Sequence, residues 1–302
     1  MDISIVIPTL NGGTRLIECA KSLTNQKIKN LFEIVLIDSG SHDGSLEKFA
    51  LIIKEACLPL SVIKIEKSDF QHGATRNHAI ESTSGEIICL ITQDAVPDNE
   101  NWLFELTEVF KNNLDLAGVF GRHKKHNDHP SLLGKDLDLH FKNMAHLLVR
   151  KIDNYELYHN NERIRQNLHF FSNNNSAIRK SVWQKYPFPE VDFGEDQTWA
   201  KLVLENGFSL LYQPKAIVRH SHLFTLKEIY SRTLTEISYF RDQFQYDLKQ
   251  KPLNFIPNVI KGIKYDFVWL LKNKSWTAAN TVCSMRKNLG TNLAKSFYTK
   301  EV

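Results

Sequence analysis

The chain has 302 residues, 42% of them hydrophobic, and a formal net charge of +4. This length and apolar content suffice for a sizeable core and exclude an intrinsically disordered chain, and the modest charge gives no sign of a nucleic-acid-binding protein. Four scattered cysteines, the lack of a signal peptide and the lack of any run of about 18 apolar residues predict a cytoplasmic protein without disulfides or a membrane-spanning helix.

Up to about residue 122, strand and helix signals alternate at the spacing of βαβ units. The predicted strands are 3–7, 33–37, 60–65, 87–91 and 116–121, and the predicted helices are 15–23, 45–57, 74–82 and 102–111. A polar, His-rich segment without a clear period follows at 123–165. Residues 170–222 return to a mixed pattern, and the chain reads as helical from residue 226. The sequence therefore predicts an α/β fold with a helical C-terminal extension.

Small or acidic residues follow three of the predicted strands. The first strand runs into Pro8 and Thr9, the second ends at Asp38, and the strand 87–91 is followed by Thr92-Gln93-Asp94. Open α/β sheets bind ligands at the carboxyl ends of their strands. Helix capping explains part of the loop after the second strand but does not explain Asp38. We therefore expect a ligand at this edge of the sheet.

The sequence lacks the two common phosphate-binding loops. Neither G-x-G-x-x-G nor G-x-x-x-x-G-K-[ST] follows the first strand. A nucleotide bound here needs its diphosphate neutralised by a metal ion and by cationic side chains. Asp94 offers a carboxylate for Mg²⁺ or Mn²⁺, which commonly bind through one or two protein carboxylates plus phosphate oxygens.

Five segments together carry a family resemblance. In chain order they are "SIVIPTLNGG", "IVLIDSGSHDGS", "HGATRNHAI", "TQDAVP" and "FGEDQTWA…VRHSH". In this order and spacing they resemble a GT-A fold glycosyltransferase of the large inverting family that includes bacterial rhamnosyltransferases. The resemblance implies a mixed, mostly parallel, Rossmann-like sheet flanked by helices. It divides the chain into a catalytic domain, 1–222, with a nucleotide-binding half at 1–122 and an acceptor half at 123–222, and a basic helical extension at 223–302.

The resemblance also implies a nucleotide site. Its residues are Pro8, Thr9, Asp38, Arg76, Gln93 and Asp94. Arg76 lies in the "ATRN" element, and its planar cationic fork suits a diphosphate. The family's Asp-x-Asp metal motif falls on residues 92–94, where Thr92 replaces the first aspartate. We therefore expect Asp94 to keep the metal contact.

The late acidic pair of the family falls on Glu195 and Asp196. An inverting transfer needs one base to take the proton of the acceptor hydroxyl, and the resemblance assigns this role to Asp196. Glu195 then orients the acceptor or the loop. On the residues alone, the pair also suits a helix start, where acidic side chains favour the helix dipole.

Three further residues have candidate roles. His220 follows an apolar strand and corresponds to a metal ligand of many GT-A enzymes, with His222 a weaker second candidate. His72 lies four residues before Arg76, so it either faces the diphosphate with Arg76 or caps the helix. Asn174 belongs to a run of three asparagines that family position assigns to the acceptor side, although asparagines also favour turns.

The C-terminal segment is basic and amphipathic. From residue 251 onward it has nine lysines and arginines and two acidic residues. Apolar residues recur at three- and four-residue spacing beside lysines, namely Ile256, Val259, Ile260, Ile263, Phe267 and Leu270. Such a helix either lies on an anionic membrane surface or packs its apolar face on the rest of the protein.

These features predict an inverting transferase that moves a sugar such as rhamnose from a dTDP- or UDP-sugar to a glycan or lipid-linked glycan. The product would be a cell-surface polysaccharide such as O-antigen or capsule. The enzyme would need Mg²⁺ or Mn²⁺ and would work in the cytoplasm at the inner face of the membrane. A nucleotidyltransferase and a non-catalytic, membrane-docked scaffold are the alternatives. No nucleic-acid partner is expected, since the basic residues lack a recognised binding module.

Overall fold

A computed structural model describes residues 2–298. The chain forms two compact units, one of Met1–Lys124 with His140–His220 and one of Lys125–Leu139 with Ser221–Val302. The sequence-based division assigns all of 123–222 to the acceptor half, whereas the structure groups Lys125–Leu139 with the C-terminal helices. Lys300 and Glu301, which enter the charge count of the C-terminal segment, lie outside the described residues.

The first unit contains a nine-stranded sheet in the order β3-β2-β1-β4-β8-β6-β9-β5, with β7 paired to β9. The pairings among β1 to β4 and between β6 and β9 are parallel, and β8 runs antiparallel between β4 and β6. The expected mixed, mostly parallel sheet is therefore confirmed. Its strands are β1 (Ile3–Thr9), β2 (Phe32–Asp38), β3 (Leu60–Lys64), β4 (Ile87–Ile91), β5 (Val96–Pro97), β6 (Leu116–Lys124), β7 (Val149–Arg150), β8 (Asn175–Arg179) and β9 (Ser209–Arg219).

Twelve α-helices are present among the described residues. They are α1 (Gly13–Thr24), α2 (Ser45–Glu55), α3 (His72–Glu81), α4 (Trp102–Thr107), α5 (Ser131–Met144), α6 (Tyr155–Asn160), α7 (Glu162–His169), α8 (Lys180–Trp183), α9 (Glu195–Glu205), α10 (Leu226–Phe244), α11 (Phe255–Lys272) and α12 (Ala278–Phe297). The predicted alternation up to residue 122 is confirmed, except that the helix expected at 102–111 is α4 followed by a 3-10 turn at Glu108–Phe110. The polar segment 123–165 contains α5, β7, α6 and part of α7, none of which its sequence pattern predicts.

The order of the strands brings the predicted loops to one edge of the sheet. Every residue of β1 is buried, as a strand covered on both faces requires. In the parallel pair β1 and β2, Thr9 lies opposite Asp38. In the antiparallel pair β4 and β8, Ile91 lies opposite Asn175, so the segment after β4 and the segment before β8 reach the same edge.

The second unit is helical, and α12 packs against α10 and α11. Its interior contains a buried carboxylate, Asp266, which accepts hydrogen bonds from Lys135, Lys287 and Ser284. These cations lower the pKa of Asp266 against the opposing effect of burial, which by itself raises it. Since Lys135 belongs to α5 and pairs with α11, this contact accounts for the grouping of the start of α5 with the C-terminal helices. No helix within residues 2–298 is both long and apolar enough to span a membrane.

Candidate active site

Gln93 ties the end of β1 to the segment after β4. Its Oε1 accepts hydrogen bonds from Thr9 Oγ1 at 2.9 Å and from the backbone N–H of Leu10 at 2.7 Å. Pro8, the residue before Thr9, is buried opposite Ile37 of β2. The side chain of Gln93 therefore fixes the backbone beside Pro8 and Thr9, and the predicted contacts of these residues with a nucleotide stay predictions.

Asp38 lies at the end of β2 with 3% of its surface exposed. Its carboxylate accepts hydrogen bonds from the backbone N–H groups of Gly40 and Ser41. Ser41 Oγ in turn accepts a hydrogen bond from the N–H of Asn11, in the loop after β1. The two loops are therefore linked, and Asp38 orders the turn in which it lies. Its predicted contact with a ribose stays a prediction.

Asp94 and His220 face one another, with 3.6 Å between Oδ2 and Nε2. His220 is 8% exposed, and its backbone N–H donates to the carbonyl of Lys124. Asp94 remains partly exposed, so its carboxylate is accessible to a ligand. His222, two residues later, belongs to the second unit, and its predicted role as a second ligand stays a prediction.

The residues at this position fit a divalent cation. A carboxylate oxygen and an imidazole nitrogen are ligands that Mn²⁺ accepts, and Mg²⁺ accepts the carboxylate. In addition, Thr92 Oγ1 is buried without a hydrogen-bond partner. Buried hydroxyls normally have a hydrogen-bond partner. Since this one has none among the described residues, it is available to a ligand or a water.

Glu195 and Asp196 begin α9, after Gly194 in the left-handed conformation with φ of 73°. The helix-start interpretation is therefore correct, and it is compatible with a catalytic role. Asp196 Oδ2 accepts a hydrogen bond from the backbone N–H of Asn173 at 3.2 Å, and Oδ1 accepts one from Gln197. These bonds orient the carboxylate, which keeps part of its surface exposed.

The surroundings of Asp196 raise its pKa to about 7. Burial is the largest cause, and the neighbouring Glu195 adds to it, whereas Arg76 and the two backbone N–H groups act in the opposite direction. A base whose pKa lies near the working pH takes up a proton efficiently and is still unprotonated in a large part of the molecules.

Arg76 makes an ion pair with Glu195. Its Nη1 lies 2.9 Å from Glu195 Oε1, and both side chains are almost completely buried. The same nitrogen donates to the carbonyl of His72 and lies 3.4 Å from His72 Nδ1. His72 is the first residue of α3, while Gln71 is the capping residue, since its Oε1 accepts from Ala74 N–H. The diphosphate contacts predicted for Arg76 and His72 stay predictions.

One residue of the asparagine run contacts the acidic pair, and the sequence analysis misses this residue. Asn173 Nδ2 donates to Glu195 Oε1 at 3.1 Å, so Asn173 contacts both acidic residues. Asn175 is buried and bonds Trp102 and two backbone carbonyls, which is a structural role. Asn174 is half-buried between them, and its predicted acceptor role stays a prediction. Three adjacent amides in a sequence give no signal of which one turns toward the acids.

Comparison with known proteins adds independent information. The family model described as glycosyl transferase family 2 matches residues 4–186. The O-antigen chain rhamnosyltransferase RfbN of Salmonella typhimurium is 30% identical over 239 residues, which cover 77% of this chain and 70% of the relative. The O-antigen chain rhamnosyltransferase WbaN of Salmonella anatum is 29% identical over 240 residues, which cover 76% and 69%.

Solved structures share the fold at lower sequence identity. The mannosyltransferase PcManGT from Pyrobaculum calidifontis, in complex with GDP-Man and Mn²⁺, aligns with a TM-score of 0.64 and 14% identity, over 99% of this chain and 88% of that one. Residues 1–349 of S. aureus TarS in complex with UDP-GlcNAc align with a TM-score of 0.55 and 16% identity, over 99% and 93%. These likenesses confirm the expected GT-A-like fold.

Proposed function

Because this chain belongs to glycosyl transferase family 2, we propose that it transfers a sugar, with inversion, from a nucleoside diphosphate to a glycan hydroxyl. The observation that carries the proposal is the position of Asp196. The pairing of Ile91 with Asn175 brings the segment of Asp94 and that of Asn173 to one edge of the sheet. Asn173 then bonds Asp196, so a base and a candidate cation site share this edge.

The chemistry assigned to Asp196 is a single proton transfer. The acceptor oxygen forms a bond to the anomeric carbon, and its proton passes to the Asp196 carboxylate. The bond between that carbon and the diphosphate oxygen breaks, and its electron pair stays on the leaving diphosphate. Attack opposite the leaving group inverts the anomeric centre. One protein base is therefore sufficient for the reaction.

Asp94 and His220 are the proposed ligands of Mg²⁺ or Mn²⁺. When bound, the cation supplies positive charge that stabilises the leaving diphosphate. The loops that contain Pro8, Thr9 and Asp38 are proposed to hold the base and ribose, and Gln93 supports them. Asn174 is proposed to lie on the acceptor side.

Rhamnose is the proposed sugar and dTDP the proposed nucleotide, with UDP the second candidate. The printed names of RfbN and WbaN as O-antigen chain rhamnosyltransferases support the sugar and a cell-surface polysaccharide such as O-antigen or capsule as the product. They favour sugar transfer over the nucleotidyltransferase and scaffold alternatives. Since the chain spans about 70% of the length of these relatives, the acceptor itself is part of the proposal.

Contact with a membrane is also part of the proposal, and the surface for it is on α11. The prediction of a single apolar face for this helix is wrong in one respect, because some of the apolar residues are buried in the structure and others are exposed. Val259 and Leu270 are buried, whereas Ile256 and Ile260 are 63% and 61% exposed. The residues that line the buried side face α12 and the interior of the second unit, which is why they cannot also form an outer surface.

The exposed residues form a stripe along α11. Ile256, Ile260, Phe267 and Leu271 share it at helical spacing, and Lys261, Lys264 and Lys272 lie in or beside it. An apolar stripe flanked by lysines complements the anionic surface of a bilayer. We therefore propose that the enzyme works in the cytoplasm at the inner face of the membrane, where it would meet a lipid-linked acceptor.

Vesicle binding tests the membrane contact. We expect sedimentation with vesicles that contain phosphatidylglycerol, loss of this binding in the double variant Ile260→Glu/Leu271→Glu, and retention in Leu114→Glu, which changes an exposed leucine of the other unit. Equal binding of all three proteins, or no binding of the wild type, would contradict this part of the proposal.

A transfer assay tests the main proposal. The protein is incubated with dTDP-rhamnose or UDP-glucose, with Mn²⁺ or with EDTA, and release of the nucleoside diphosphate is measured with water as the acceptor. We expect Mn²⁺-dependent release from dTDP-rhamnose that is lost in Asp94→Asn and in Asp196→Asn. The proposal is wrong if neither sugar is cleaved and neither nucleotide raises the melting temperature of the protein.

A further inference from the structure

The loop that leads into α9 is held by the first turns of α3. Gln71 Nε2 donates to the carbonyl of Val191 at 2.7 Å. Asn77 Nδ2 donates to the carbonyl of Phe188 at 2.8 Å, and Asn77 Oδ1 accepts from the N–H of the same residue. Loop backbones usually bond to water, so three bonds from α3 and its capping residue fix the course of this loop relative to α3.

Close backbone contact accompanies these bonds. A Cβ atom built on Gly73 would lie 2.1 Å from the carbonyl oxygen of Pro189. Only glycine allows the two backbones to approach this closely. The position of the loop before Glu195 is therefore defined by packing as well as by hydrogen bonds.

Arg76 continues this contact from the loop to the acidic pair. It lies one turn after Gly73 and bonds Glu195 Oε1, which Asn173 also contacts. Asn173 then donates its backbone N–H to Asp196. A chain of direct contacts thus runs from α3 through Glu195 and Asn173 to the proposed base. The charged groups that face Asp196 are Glu195 on its own helix and Arg76 on α3, with His72 next to Arg76.

We propose that Arg76 is a positioning residue for the catalytic base, acting through Glu195, rather than a ligand of the nucleotide diphosphate. The inference rests on the proposed role of Asp196. Both side chains of the ion pair are buried, and Nη1 of Arg76 is already bonded to the carboxylate and to the His72 carbonyl. Without Arg76, the buried carboxylate of Glu195 would have no compensating charge, and the segment that contains Asp196 would shift or rearrange.

The test compares Arg76→Gln with Glu195→Gln and with the double variant. The measurements are dTDP release from dTDP-rhamnose as a function of pH, and the rise in melting temperature caused by dTDP with Mn²⁺. We expect Arg76→Gln to lower kcat about tenfold or more, because small displacements of a reacting group are costly. The acidic limb of its pH profile should move to higher pH, since a cation near Asp196 is removed. Its dTDP-induced rise should equal that of the wild type.

Glu195→Gln should move the same limb to lower pH, since an anion next to Asp196 is removed, and the double variant should return it toward the wild-type position. Removal of both members also avoids an isolated buried charge, so the double variant should be more stable than the two single variants predict together. Arg179→Gln is the matched control, because the side chain of Arg179 donates to the backbone carbonyls of residues 110, 113 and 116, away from the acidic pair. It should lower stability without moving the limb.

Three outcomes would overturn the inference. If Arg76→Gln abolishes the dTDP-induced rise and leaves the pH limb in place, Arg76 binds the diphosphate, and the proposed function is unaffected. If Asp196→Asn releases dTDP as fast as the wild type, the proposed base is wrong and the inference fails with it. A limb that moves alike in Arg76→Gln and Arg179→Gln would show a general effect of destabilisation and would also overturn it.

Discussion

Asp94 and His220 are brought within 3.6 Å of one another by the pairing of two strands. β5 begins two residues after Asp94, and β9 ends one residue before His220. In this antiparallel pair Val96 lies opposite Arg219, so the two candidate ligands must meet at the same point on the edge of the sheet. The approach of the two side chains is thus set by the backbone pairing of β5 with β9.

Replacement of His220 by alanine should weaken metal-dependent nucleotide binding without unfolding the protein. The imidazole is one of only two protein ligands proposed here, and its backbone bond to Lys124 remains in the variant. We expect the rise in melting temperature caused by dTDP with Mn²⁺ to fall toward the rise seen with EDTA. His146→Ala, which changes an exposed histidine, should leave it unchanged. An undiminished rise in His220→Ala would contradict the assignment.

The strand ends of the site can be predicted from sequence because two local signals coincide there. Apolar runs such as 3–7 and 87–91 identify buried parallel strands, and polar residues directly after them identify the ligand edge. Asp94 can be chosen in this way, whereas the choice of Asp196 rests on the family resemblance. The partners of these residues cannot be chosen, since no local pattern shows that Arg76 bonds Glu195, which is distant in sequence.

The errors in the C-terminal segment have a similar origin. Helical spacing groups Ile256 with Val259, but spacing alone cannot show where the boundary between a buried and an exposed face lies. That boundary depends on α12, which packs against one side of α11.

The rate of sugar transfer should rise with pH and level off above about 7. Asp196 acts only when unprotonated, and burial together with Glu195 raises its pKa to about 7, so the base is protonated and inactive in acid. Asp196→Asn should lower the rate by about 10²- to 10⁴-fold at every pH, since the variant has no base. The check is a pH profile of dTDP release from dTDP-rhamnose. A flat profile between pH 5 and 8 would count against Asp196 as the base.

Acid should destabilise the protein through His169. This histidine is 1% exposed, and burial lowers its pKa to about 3, while its Nε2 lies 2.8 Å from the hydroxyl of Tyr158. Below its unfolded pKa of about 6.5 the unfolded chain takes up a proton that the folded protein does not. The free energy of unfolding should therefore have its full value above that pH. Below it, the free energy of unfolding should fall by at most about 1.4 kcal/mol per pH unit.

Urea unfolding at several pH values measures this effect. His169→Gln should weaken the pH dependence between about 6.5 and 5, because the titrating group is gone. His159→Gln is the matched control, since His159 lies on the preceding helix, α6, and is exposed. If both variants keep the slope of the wild type, His169 does not cause the loss of stability in acid.

Alanine should have opposite effects at two helical glycines. At Gly73 the new Cβ would lie 2.1 Å from the backbone oxygen of Pro189, and that oxygen cannot move without displacing the loop before Glu195. We expect Gly73→Ala to cost about 1–3 kcal/mol of unfolding free energy, as overpacking commonly does. Transfer should also slow, because the displaced loop leads directly to Asp196.

At Gly134, in α5, the new Cβ would meet only the flexible side chain of Lys125, at 3.3 Å. Alanine favours a helix over glycine by up to about 1 kcal/mol, so Gly134→Ala should leave stability unchanged or raise it. Urea unfolding of both variants, with dTDP release measured on each, separates a helix-propensity effect from the contact between α3 and the loop. If Gly73→Ala is as stable and as active as Gly134→Ala, the close approach of α3 to Pro189 does not position the base.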